Sequence, residues 1–216
     1  MHLKSMVTGI KGVKWTSRPK SSHKDSITLL DVLRGQLGYA DNSREARNIL
    51  NRGLILVNKR VVRDPRYGVG LMDVIEIPLA KKHYRVLVSS KGLYLKEIDA
   101  KESNVKLCRV NGKRIVSGGK TQLNLHDGSN ILTDKDVKVN DSVLIELPSL
   151  KLKESLGYAA GMKAMVYRGR HGGELGVIEG IIEGTASRKS LTKIGDLQTL
   201  TEYVMIVGKK EPLITI

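Results

Sequence analysis

The sequence predicts a multidomain, mainly-β chain with a small α+β region near its start. Three observations carry this. Helical periodicity is confined to residues 25–52. Beyond it, apolar residues fall in short runs separated by Gly, Pro, Asn and Asp, the spacing of strands and turns. Size allows one large core in 216 residues, but this pattern argues for several small ones.

Residues 1–24 carry Lys4, Lys11, Lys14, Arg18, Lys20 and Lys24 and no acid. With poor apolar periodicity they read as a flexible basic arm, or as a disordered start with no role.

Residues 25–79 form the α+β region. Asp25 or Ser26 is expected to cap a first helix whose stripe is Leu29, Leu30, Leu33 and Leu37. Gly38 follows where a left-handed residue is wanted. A second helix starts at Asn42, with Glu45 completing a capping box. Ala46, Ile49 and Leu50 face inward, Arg44, Arg47, Asn48, Asn51 and Arg52 face outward, and Gly53 stops it. Arg44 and Arg47 share a face near the helix N-terminus, where backbone N–H groups also favour phosphate. Leu54–Val57 reads as a strand, Asn58-Lys59 as a tight turn and Val61-Val62 as the return. Pro65, Gly68 and Gly70 break the chain before a Val74–Ile77 strand, which Pro78 ends.

Residues 80–156 read as an all-β block. His83–Val88 alternates, Lys91-Gly92 turns and Leu93–Ile98 continues. Gly118-Gly119 and Asp127-Gly128 mark hairpins, and Val143–Leu147 is a strand before Pro148. Val139–Pro148 echoes the Asp73–Pro78 ending, too briefly to be a repeat.

Residues 157–216 form a further β block behind a linker at Gly157–Gly161. Its signature runs from Met165 to Ile178, a strand, a glycine-rich basic turn and a strand, with Arg168, Arg170 and His171 at the tip. A nucleotide-phosphate loop would need a different glycine–lysine spacing and a following helix.

Composition narrows the function. With 37 Lys+Arg against 22 Asp+Glu the net charge is +15, which points to a polyanionic partner. Aromatics make up 4% and Phe is absent, so stacking on single-stranded bases is poorly supported and recognition of phosphates and RNA shape is favoured. Cys108 stands alone in an apolar run and reads as a packed thiol, which suits a reducing compartment. No signal-peptide or membrane-spanning run is visible, so a cytoplasmic protein without membrane partners is expected. The histidines His2, His23, His83, His126 and His171 are scattered without metal-ligand spacing. No nucleophile elbow, dinucleotide loop or Cys-x-x-Cys occurs. No catalytic residue, cofactor or metal is expected.

Residues 26–77 resemble the S-four RNA-binding domain, on Arg44-Glu45-Ala46-Arg47, Gly53, Ile55, Val57 and Asn58. Lys59 stands where that family usually has glycine. Residues 164–178 resemble a KOW motif, with Gly169, Gly173 and Gly176 at its glycine positions. The order Lys14–Pro19, S-four region, Tyr84-Arg85, Gln122–Gly128, KOW loop and Glu202–Gly208 is similar throughout to one archaeal and eukaryotic family, the small-subunit ribosomal protein S-four-e. The resemblance implies an S-four domain, a central β domain and a C-terminal SH3-like KOW barrel. It also implies binding to small-subunit ribosomal RNA beside neighbouring ribosomal proteins, as a monomer and without catalysis. An archaeal source fits the length. The resemblance also leads one to expect an N-terminal arm shorter than the family's.

The candidate RNA-contact residues are Lys14, Arg18 and Lys20 in the arm and Arg34, Arg44, Arg47, Asn51 and Arg52 on the helices. Lys59, Arg60, Arg63 and Arg66 follow, and Arg168, Arg170 and His171 form a later group. The alternatives are an RNA-modifying enzyme with an S-four domain, which would need a large catalytic domain, and a KOW-type transcription factor, against which the S-four region speaks.

Overall fold

The computed structural model describes residues 17–20, 26–116, 118–185 and 187–216. Lys14 and Asp25 lie outside them. The chain forms two compact units, one ending at Lys106 and one beginning at Leu107.

The first unit begins with a strand, not a helix. β1 (Ser26–Thr28) precedes the short helix α1 (Leu29–Asp31). Its cap is Thr28, whose Oγ1 accepts the Asp31 N–H at 3.2 Å, so the Ser26 cap is corrected. Ser26 instead pairs with Gly70, and β-branched Ile27 and Thr28 suit that extended segment. The chain then widens into a π-helix over Val32–Gln36, where the Leu37 N–H donates to the Val32 carbonyl at 3.0 Å. This buries Val32 together with Leu29, Leu30 and Leu33. Gly38 follows in the left-handed conformation, φ +64°.

Helix α2 (Ser43–Asn51) follows its predicted pattern. Ala46 and Leu50 are fully buried, and Ile49 packs at the margin of the same core. β2 (Leu56–Val57) and β3 (Arg60–Val61) are short, and Leu54 lies before the strand. β4 (Gly68–Gly70) is the partner of β1. β5 (Val74–Ile77), β6 (Lys82–Ser89) and β7 (Gly92–Ile98) complete a sheet of order β3-β2-β5-β6-β7. The sheet therefore continues past Pro78 into β6 and β7. Tyr84 and Val86 of β6 join the core under the helices. Each such side chain, fully buried, contributes about 1.5–3 kcal/mol.

The second unit holds two sheets, whose first strand begins in the last two residues of the first unit. β8 (Val105–Ile115), β9 (Thr121–Leu125), β10 (Asn130–Thr133), β11 (Ser142–Glu146) and β12 (Lys151–Leu156) form one, of order β10-β9-β8-β11-β12. Its core includes Cys108, Val110, Leu123, Leu125, Val143 and Ile145. Both predicted hairpins form, with Gly118, Gly119 and Gly128 at positive φ. The strand β12 was not foreseen, because Lys151–Leu156 has no clean alternation. β13 (Lys163–Val166), β14 (Leu175–Ile182), β15 (Leu191–Ile194), β16 (Leu197–Leu200) and β17 (Val204–Gly208) form the other sheet, of order β16-β15-β14-β13-β17. Gly157–Gly161 is tied down rather than free. The Tyr158 N–H donates to Asp141 Oδ1 at 2.8 Å, and the Tyr158 hydroxyl meets the Thr192 hydroxyl.

Candidate RNA interface

Helix α2 supplies the backbone of the site. Arg44, Arg47 and Asn51 recur at i, i+3 and i+7, and all are exposed. Among the described residues no acid pairs with Arg44, Arg47 or Arg52. Gly53, at φ +71°, turns the chain, and the Arg63 guanidinium lies over it: a Cβ built on Gly53 would be 3.6 Å from an Arg63 terminal nitrogen. The row Arg44–Arg47–Asn51–Arg52 is thus extended by Arg63 at the helix end.

Two N–H groups of the helix start are taken by its own cap. The Arg44 and Glu45 N–H groups both donate to Asn42 Oδ1 at 3.0 Å. Asn42 Nδ2 and the Asp41 N–H in turn donate to the two Glu45 oxygens, at 2.8 and 2.9 Å. This is the predicted capping box, and it uses the donors that the sequence reading offered to an anion. With those two donors taken, an anion on this helix falls chiefly to the arginine side chains.

The other first-unit candidates divide by their partners. Arg18 and Lys20 are drawn to the Asp64–Arg66 turn: the Lys20 N–H donates to the Arg66 carbonyl at 2.9 Å, and Arg66 Nε donates to the Arg18 carbonyl at 3.4 Å. Arg34 is held by Asp31 at 3.5 Å and donates to Ser43 Oγ at 3.3 Å, strapping the first helix to the second. Arg60 is exposed on β3. Lys59 points inward, with Nζ 2.8 Å from Glu76 Oε1.

The second unit carries a separate group. In the loop between β13 and β14, Arg168 and Arg170 are exposed. The Arg168 guanidinium lies 5.7 Å from the Tyr167 ring centre. His171 Nδ1 is 2.9 Å from Glu174 Oε1. Gly169 and Gly173 hold φ +87° and +94°, conformations that only glycine enters freely.

Some cations serve the interior, which net charge alone does not reveal. Arg85 is fully buried and donates to Glu102 Oε2 at 2.8 Å and to the Glu102 carbonyl at 3.1 Å. Burial lowers its pKa while Glu102 draws it back up. Lys106 Nζ donates to Asp73 Oδ1 at 2.7 Å, and Asp73 also accepts from Asn58 Nδ2 at 2.7 Å and the Gly70 N–H at 2.7 Å. Their places inside apolar strands were the available signal. Among the described residues no group of three or more His, Cys, Asp or Glu could hold a metal ion, and no helix is long and apolar enough to cross a membrane.

Comparison with known proteins decides the family. Residues 29–75 match the S4 domain and residues 80–152 match the ribosomal family S4e. The small ribosomal subunit protein eS4 of Methanosphaera stadtmanae is 41% identical over 94% of this chain and 87% of its own length. The chain belongs to the ribosomal family S4e. Small ribosomal subunit protein eS4 of Archaeoglobus fulgidus is a further relative, 38% identical over 92% of this chain and 86% of that protein. The crystal structure of the 30S ribosomal protein S4e from Thermoplasma acidophilum superposes with a TM-score of 0.75 at 34% identity, covering 86% of this chain and 96% of that one. The S4e fold is thus mainly β, with an S4 domain in which few helices rest on a sheet. The S4 match begins at Leu29 and ends at Ile75, so it contains α1, α2, Arg44, Arg47 and Lys59.

Proposed function

We propose that this S4e chain is a structural constituent of the small ribosomal subunit and binds small-subunit ribosomal RNA. It has no catalytic role, it works in the cytoplasm as part of the ribosome, and its partners are ribosomal RNA and neighbouring ribosomal proteins. The observation that carries this is the exposed row Arg44, Arg47 and Asn51 on α2, with Arg52 and Arg63 at its end, in a chain of net charge +15. Guanidinium groups spaced along a rigid helix hold successive phosphates by paired donors.

The chain sits in the subunit as a monomer, without cofactor or membrane contact. Arg18, Lys20, Arg60 and Arg66 are further RNA contacts of the first unit, and Lys14, outside the described residues, is a contact of the arm. Arg34 acts at its edge. Arg168, Arg170 and His171 form a second contact on a C-terminal SH3-like KOW barrel built from the β13–β17 sheet. An arm to residue 24, an S4 domain to 79, a central β domain to 156 and the KOW domain form the functional division.

The test is binding of the purified chain to small-subunit ribosomal RNA across a salt series. Affinity should fall steeply, with a log–log slope of roughly −0.7 to −0.9 per phosphate neutralised. Salt-independent affinity would overturn the electrostatic reading. A modified nucleotide, found by mass spectrometry after incubation, would instead make the chain an enzyme.

A further inference from the structure

We infer that the outer face of the β8–β9–β10 sheet is a separate RNA-binding surface, one that docks on the minor groove of double-stranded RNA. This rests on the ribosomal RNA reading above and adds a contact that the basic clusters did not indicate.

The burial of β8 changes sharply along its length. Lys106–Val110 is buried, whereas Asn111 and Lys113–Ile115 are exposed, and Ile115 at the end is 72% exposed. The hairpin therefore runs out beyond its core. Its turn is closed by the Val116 N–H to the Lys120 carbonyl at 2.9 Å and the Gly119 N–H to the Val116 carbonyl at 3.2 Å. From Asn111 to Asn124 the sequence holds Lys113, Arg114 and Lys120 and no acid.

Register fixes which side chains share the outer face. Arg114 is opposite Gln122, which is opposite Leu132. Gly112 is opposite Asn124, which is opposite Asn130. The other face holds Lys113, Leu123 and Ile131, of which Leu123 and Ile131 are buried and Lys113 reaches Asp136 at 2.8 Å. The outer face is thus one guanidinium and three amides around a glycine, with no carboxylate. Among the described residues no acid pairs with Arg114. Gln122 Nε2 donates to Asn124 Oδ1 at 3.1 Å, which orients both amides, and each keeps further donors and acceptors.

Such a face matches duplex RNA in shape and chemistry. Three strands span about 10 Å. The A-form minor groove is wide and shallow, and it presents 2′-hydroxyls that both donate and accept. Amides satisfy those hydroxyls, and Arg114 reaches the flanking phosphate. Gly112 leaves room for the Asn124 amide, whose Nδ2 lies 3.5 Å from where a Cβ would stand, so that amide is carried across the middle of the face. An apolar protein partner finds only Leu132 on this face, and a cationic one meets Arg114.

The experiment measures affinity for small-subunit ribosomal RNA, with a hydroxyl-radical footprint. The variants are Arg114→Ala with Gln122→Ala, Asn124→Asp and, for reference, Arg44→Ala with Arg47→Ala. The first pair should bind about tenfold more weakly, with a salt slope shallower by about one. It should lose protection on a duplex segment while the footprint assigned to α2 remains. Asn124→Asp should weaken binding further by placing a carboxylate in the groove. Wild-type affinity and an intact footprint in both sheet variants, with the α2 pair still weakened, would overturn the sheet face and leave the ribosomal RNA reading standing. Protection lost from a single-stranded loop would overturn the groove assignment. Normal affinity for free RNA with lost co-sedimentation on subunits would give the face to a ribosomal protein, which also overturns it. If the wild-type chain binds no ribosomal RNA, both readings fall.

Discussion

Lys59 Nζ lies 2.8 Å from Glu76 Oε1, joining the tip of the β2–β3 turn to the middle of β5. Both turn residues are left-handed, Asn58 at φ +50° and Lys59 at +66°. Glycine is favoured at the second position of such a turn, and a side chain there costs about 1–2 kcal/mol. The lysine is held by what it reaches. Glu76 is 6% exposed and needs a cation, and Lys59 Nζ also donates to Ser103 Oγ at 2.9 Å. The ion pair offsets the strain.

Lys59→Gly should therefore destabilise the chain despite relieving the turn, by roughly 1–3 kcal/mol, because Glu76 loses its lysine and keeps only His83, whose Nδ1 is 3.7 Å from Oε2. Adding Glu76→Gln should return most of that loss. Urea denaturation of the single and double variants measures both. The double variant should bind ribosomal RNA like wild type if Lys59 serves the fold. A clear loss of affinity at restored stability would put Lys59 on the RNA surface after all.

The same turn shows how far the sequence was legible. Asn58-Lys59 between apolar runs marked a tight turn, and Gly38, Gly53, Gly118 and Gly128 marked stops and hairpins correctly, because left-handed backbone has a local signature. The capping box at Asn42 and Glu45 was equally local. The inward direction of Lys59 was not, since it depends on Glu76 being buried on another strand. Thr28 displaced Ser26 as a cap for a similar reason: pairing of Ser26 with Gly70 is a long-range choice. The arginines of α2 were visible from spacing. The face that joins Arg114 to Gln122 required the register of β8 on β9.

Two glycines of β14 should respond differently to alanine. A Cβ on Gly176 would sit 2.4 Å from Ile194 Cγ2, inside contact distance of a buried side chain. Around Gly180 nothing lies within 4 Å. Gly176→Ala should cost about 1–3 kcal/mol through overpacking. Gly180→Ala should be nearly neutral. Thermal melts of both variants make the comparison, and equal melting points would contradict the close approach at Gly176.

Alkaline pH should test the tie at Tyr158. Its hydroxyl meets Thr192, and the Thr192 hydroxyl lies 3.0 Å from that of Thr201. Burial pushes the phenol pKa up, against the opposing pull of the two threonine hydroxyls. The folded chain thus prefers the neutral phenol. Its contribution is complete below the unfolded value of about 10 and is lost as pH rises through the higher folded value. Tyr158→Phe should lower stability at neutral pH by roughly 0.5–1.5 kcal/mol and flatten the alkaline decline. Urea melts from about pH 8 to 11 compare the two slopes. An unchanged slope would remove Tyr158 from the alkaline transition.

The arginines of α2 offer the sharpest test of the site. Arg44 and Arg47 lie one turn apart on an exposed face, while the helix start is occupied by Asn42. Phosphate then falls chiefly to the side chains, and arginine grips with two donors in a fixed fork. Arg44→Ala with Arg47→Ala should weaken RNA binding by about tenfold or more, and stability should stay within about 0.5 kcal/mol, since neither residue is buried. The double lysine variant restores charge without the fork and should recover only part of the affinity. Asn42→Ala separates the helix from its charges. It should cost about 1 kcal/mol of stability. By freeing the Arg44 and Glu45 N–H groups it should leave RNA affinity intact or raised once the chain is folded. If the alanine pair binds like wild type at moderate salt, the RNA-facing surface lies elsewhere. Arg168 and Arg170 would then be the next residues to replace.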